Sequence, residues 1–283
     1  MDTIRLDNTF NSYSGKLLSQ ASPKQIDSKT HPNFDCPEIF QKFGTLSSSG
    51  IAFVNMQNKQ KVYTQEQEGK FQQLLDNGKI DKAHLELFKS IYAQKNISYE
   101  DVYKKIAKFV GIDYELPPLQ TGEHIQFSSF EPITAGFSIN VKFSPYPAIR
   151  HELEHLKQNV LLYRAYGKDT MIDVSFQSMI KQLEEFNPMI PEYNKMYSEL
   201  TGDEIKEFRN NCKKEMESQF NTKFYENVTR QKGELTPEEK TKASLYLENA
   251  YNYDGSTGIM EDEAYAAQID FKRMLDAFET VIK

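Results

Sequence analysis

Residues 150–158 read RHELEHLKQ. On a helix, positions i and i+4 share one face a single turn apart, so His151 and His155 can present two imidazoles to one metal ion. Glu152 projects from a neighbouring position, where a carboxylate can take a proton from a metal-activated water. Zinc lowers the pKa of such a water to about 7 and polarises a carbonyl. The combination suits peptide hydrolysis, with Glu152 as general base and later as proton donor to the leaving nitrogen. A different reading is a solvated helix face, with His151 and Glu154 in water. The remaining histidines, His31, His84 and His124, stand alone and read as surface residues.

Catalytic zinc takes three protein ligands and a water. The pattern HExxHxxGxxH does not fit: Gln158 stands at its glycine, Leu161 at its last histidine, and no histidine follows His155. A later stretch, 260–268, reads MEDEAYAAQ and offers carboxylates. Glu261 stands three residues before Ala264, and Glu263 three before Ala266. Acidic residues also favour a helix's first turn through its dipole, with no metal involved.

HExxH followed by ExxA resembles the gluzincins, the thermolysin-like division of the zincin-fold peptidases. The resemblance covers roughly residues 136–166 and 258–275. It implies a zinc metallopeptidase with His151, His155 and Glu261 as metal ligands, Glu263 as the rival third ligand, and Glu152 as the catalytic base. That family often carries an Asp four residues after the liganding Glu, supporting a zinc histidine. Here the position holds Tyr265, which departs from the pattern. A donor for the substrate oxyanion is unassigned; Tyr251, Tyr253 and Tyr265 are nearest in sequence to the third ligand, with Tyr253 and Tyr265 the candidates. A non-catalytic zincin-fold protein that binds metal and acts as an interaction module is the alternative.

Several elements must position these residues. Gly136–Ser144 alternates Phe137, Ile139, Val141 and Phe143 with polar residues and predicts a strand. A protease wants such a strand beside its site, because an extended substrate can pair with its edge. Ser144-Pro145-Tyr146-Pro147 then opens a helix expected to run to about Tyr166, with Gly167 as its stop. Upstream, Ile51–Asn55 and Lys61–Thr64 suggest a hairpin, and helices are expected near 65–75, 80–94 and 98–110. Ile125–Phe130 is strand-like, and Pro117-Pro118 and Gly122 mark a connection before it. Downstream, helical spacing over 175–186 and caps at Thr201 with Glu204 and Thr236 with Glu239 predict further helices. The last helix covers about 260–281.

The expected fold is α+β: a zincin-like domain with a small, mainly antiparallel sheet of about 3–5 strands and the HExxH helix, followed by a mostly helical second half. Residues 1–48, polar and proline-containing, read as a flexible tail; 49–283 form the metallopeptidase domain, in a strand-containing half 49–166 and a helical half 167–283. The chain of 283 residues carries a formal net charge of −7 with scattered Lys and Arg, which argues against a nucleic-acid partner. No stretch is apolar enough to span a membrane, and no secretory signal is visible, so a cytoplasmic location is expected. Two cysteines, Cys36 and Cys212, exclude a four-cysteine zinc site. The expected cofactor is Zn2+ and the expected partner a peptide or protein substrate.

Overall fold

A computed structural model describes residues 63–94, 96–125, 128–185, 191–252 and 258–283. The tail 1–48, Cys36, His31, Tyr253 and nearly all of the expected hairpin lie outside them. The helices in chain order are α1 (Gln65–Asp76), α2 (Lys82–Tyr92), α3 (Tyr99–Phe109), α4 (Pro145–Glu184), α5 (Pro191–Ser198), α6 (Gly202–Gln219), α7 (Thr222–Lys232), α8 (Pro237–Asn252) and α9 (Ile259–Ile282). The strands are β1 (Leu119–Gly122), β2 (Ser129–Glu131) and β3 (Gly136–Asn140). The protein is thus α+β and mostly helical. No described helix is long and apolar enough to cross a membrane.

Contacts divide the chain into two compact units. One holds 63–130, 137–157 and 261–283 among the described residues, and the other 131–136 and 158–260.

In the first unit the capping chemistry starts helices where it is expected. Ser98 accepts from the Asp101 N–H at 3.1 Å and begins α3, and Gly111, at φ +80°, closes it. Thr64 and Gln67 bond reciprocally to start α1. The core is aromatic: Phe71 stacks on Phe278 at 5.1 Å, and Phe88 meets Phe271 edge-on at 5.1 Å. Tyr103, Phe137 and Ile139 are fully buried with them.

The sheet differs from expectation. Its order is β1-β3-β2, and β1 pairs with β3 in parallel, Leu119 opposite Phe137 through Gly122 opposite Asn140. The short connection from β2 to β3 permits only an antiparallel pair. The sheet is therefore mixed, not mainly antiparallel. β1 falls in the stretch read as a connection: its LQTG sequence is polar and lacks an alternating signal. β3 stops at Asn140, where β1 runs out of partners. The Asn140 side chain then accepts from the Lys142 N–H at 2.8 Å and bends the chain. Phe143, expected to face the core, is 73% exposed. Strand β2, Ser129–Glu131, overlaps the end of the expected Ile125–Phe130, of which 126–127 lie outside the described residues.

Helix α4 leaves helical geometry at Gly167, with φ +77° and ψ −174°, a conformation that glycine adopts without steric cost. Gly167 thus ends the first helical segment, as expected, and a second segment follows it directly and runs on to Glu184.

In the second unit, α6 and α8 begin at Thr201 and Thr236 as their caps predict. Phe220, Tyr163 and Tyr225 form a stack, with Tyr163 and Tyr225 centred 4.7 Å apart. The Tyr225 hydroxyl donates to the Pro132 carbonyl at 2.7 Å. Arg164, buried on α4, donates to Glu239 at 2.7 Å. That bond, outweighing desolvation, holds the Glu239 carboxyl below its ordinary range. A carboxyl depressed by folding contributes stability above its unfolded pKa of about 4.3, and the contribution is lost as pH falls below it. Glu239→Gln is expected to lower stability at neutral pH by about 1 kcal/mol, discounted for solvent at Glu239. Thermal unfolding of variant and wild type should converge as the pH falls through the lowered pKa of Glu239; a gap that persists once Glu239 is protonated would reject this role.

Candidate metal centre

The helix carrying HELEH starts where the sheet releases the chain. Ser144 sits at φ +43°, its carbonyl accepts the Ala148 N–H at 3.2 Å, and Pro145 occupies the first turn. From there His151, Glu152 and His155 all point inward: their residues are 4%, 2% and 7% exposed. Leu153 and Leu156 are fully buried as well, and Glu154 is buried against Arg150 and Lys157. The solvated-face reading of this helix is thereby excluded.

Helix α9 supplies the third group. Glu261 is 7% exposed, whereas Asp262 is exposed and Glu263 half-buried. The helix dipole favours any acidic residue in this turn, but it does not bury one against two imidazoles. The nitrogens His151 Nε2 and His155 Nε2 lie 3.1 Å apart. Glu261 approaches them at 3.6 Å and 3.4 Å. Among the described residues this is the group of histidine and acidic side chains whose ligand atoms converge. Burial pushes the Glu261 carboxyl up, but the two imidazoles pull harder and bring it down to about 2. A tetrahedral zinc with bonds of 2.0–2.1 Å separates neighbouring ligand atoms by about 3.3 Å. The two imidazole nitrogens lie close to that spacing, each Glu261 oxygen lies close to it from one of them, and the donors are types that zinc prefers, so the residues fit the ion.

Glu152 does not join the ligand atoms. Its Oε2 accepts the backbone N–H of Phe130 in β2 at 2.7 Å. The general-base candidate is thus anchored to a strand of the same unit. The sheet order also relocates the expected substrate edge. β3 is central, with β1 on one side and β2 on the other, so an added strand cannot pair along Gly136–Asn140.

Tyr265 packs its ring against that of His151, at 4.8 Å and 63°. No described residue hydrogen-bonds the buried His151 Nδ1. The aromatic contact therefore stands where the resemblance implies a carboxylate. Tyr251 belongs to the other unit, where its hydroxyl donates to Asp173 at 3.0 Å. His84 packs on Phe109 at 4.6 Å and pairs with Asp81, and His124 is exposed; neither belongs to the cluster.

One contributor escaped the sequence: the Phe130 N–H, a backbone group that no residue type announces. No protein-family model, no curated protein and no solved structure matches the chain.

Proposed function

We propose that the chain is a zinc-dependent metallopeptidase of gluzincin type, holding zinc on His151, His155 and Glu261. The observation that carries this reading is the convergence of two imidazole nitrogens and a carboxylate at spacings of 3.1, 3.4 and 3.6 Å, all buried. Zinc bound there supplies a Lewis acid for the scissile carbonyl and acidifies the attacking water.

The chain's own residues do the rest. Burial of the cluster keeps bulk water from competing with the ligands. Glu152 accepts the proton of the attacking water on its carboxylate and passes it to the leaving nitrogen as the peptide bond breaks. The Phe130 N–H holds that carboxylate in place through both transfers. Tyr265 fixes the ring plane of His151 by edge contact.

A second reading is supported by a specific feature. Among the described residues, no carboxylate bonds His151 Nδ1, a partner that orients ligating histidines and raises their basicity. A protein of this kind would bind zinc and cleave nothing, acting as an interaction module. The zinc-loaded chain incubated with a peptide library separates the two. Cleavage that stops in Glu152→Gln supports the peptidase; stoichiometric zinc with no cleavage supports the second reading.

A further inference from the structure

A cavity of about 280 Å³ opens in the first unit, and its walls share no residue with the His–His–Glu cluster. Three tyrosines, Tyr92, Tyr99 and Tyr146, line it together with Lys272, Asp276 and Glu279. Tyr146 meets Tyr92 at 6.3 Å and 78°, and Tyr99 at 6.4 Å and 68°. Rings set so steeply to one another form walls of a box and not a stack. The Tyr92 hydroxyl donates to Glu279 Oε1 at 2.5 Å, which fixes a carboxylate beside those rings.

The lining decides the sign of the ligand. Helix α4 begins here, yet its start is poor at holding an anion. Pro145 and Pro147 have no N–H, and the Ala148 N–H is bonded to the Ser144 carbonyl. Lys272 pairs with Asp276 at 2.5 Å, an exposed pair that is weak in water, and the two carboxylates of the lining, Asp276 and Glu279, outnumber this one cation. Glu279 takes a second bond from Lys283, at 2.8 Å, but that lysine is 76% exposed and its pairing is weak in water. Aromatic faces attract cations, most strongly when the cation is desolvated between them. Ring faces cannot satisfy the N–H groups of a primary ammonium, so a cation whose surface is methyl loses least on entering.

We propose that this cavity binds a small quaternary or fully methylated ammonium group, its methyls against Tyr92, Tyr99 and Tyr146 and its charge balanced by Glu279. The site is independent of the zinc reading. Isothermal titration of the full chain with choline, and with its uncharged isostere 3,3-dimethylbutanol, tests it. Choline should bind saturably, with the isostere at least about tenfold weaker. Glu279→Gln, which keeps an acceptor for Tyr92, and Tyr99→Leu should each weaken choline about tenfold while leaving the circular-dichroism spectrum and Tm close to wild type. His155→Ala should bind choline as wild type does. Equal binding of choline and the isostere would reduce the cavity to an apolar cleft. Absence of saturable choline binding, or binding unchanged in both variants, would overturn the proposal.

Discussion

Glu152→Gln is expected to lower peptide hydrolysis by about 10²–10⁴-fold while leaving fold and zinc content unchanged. The amide has nearly the size of the carboxylate. Its oxygen can still accept the Phe130 N–H, so the 2.7 Å anchor to β2 survives. What it cannot do is take a proton at neutral pH, and general-base assistance disappears. Glu152→Ala makes the useful contrast. It removes the acceptor as well, leaves a buried N–H unpaired, and should cost about 1–3 kcal/mol of stability in addition to activity. Matched Tm values for wild type and Glu152→Gln, together with lost cleavage, would isolate the chemical role. Hydrolysis at the wild-type rate by Glu152→Gln would remove Glu152 from the mechanism.

Glu261→Gln should weaken zinc binding by at least about 100-fold, whereas Glu263→Gln should leave it unaffected. Both residues stand three before an alanine in the same helical turn, so the sequence treats them alike. Burial does not: Glu261 is enclosed against His151 and His155, and Glu263 is half-buried outside the cluster. A neutral amide oxygen is a poor zinc ligand and cancels none of the ion's charge. Competition against a metallochromic chelator measures both variants on one scale. Equal losses in the two would mean that the third ligand is not defined by α9 as drawn. A loss in Glu263→Gln alone would exchange the assignments.

How much of this was legible in the sequence follows from the range of each signal. The caps at Ser98, Thr201 and Thr236 act over three residues, and the helices begin there. The HELEH spacing is equally local: i and i+4 meet on any helix, and the pairing of His151 with His155 needed no tertiary information. Bringing in Glu261 required the resemblance to a family pattern, because the two motifs are far apart in the chain. The misses are tertiary. Whether Val141 and Phe143 continue a strand depends on a partner, and β1 ends opposite Asn140. That β1 exists at all depends on β3 recruiting a polar tetrapeptide as a parallel neighbour. Helix α7 follows α6 after the break at Phe220 and Asn221, where Asn221 caps the Phe224 N–H at 3.1 Å. That is a common local device whose meaning was hidden in a long helical stretch. The anchoring of Glu152 by Phe130 is a backbone contact between distant segments, which residue identity does not encode.

The most direct test of the central claim is the metal content of the purified chain, wild type against His155→Ala, by elemental analysis after equilibration with zinc and removal of excess. A three-ligand site predicts close to one zinc per wild-type chain and little in the variant. Zinc absent from both, or present equally in both, would contradict the site and leave the buried cluster as a hydrogen-bonded core group.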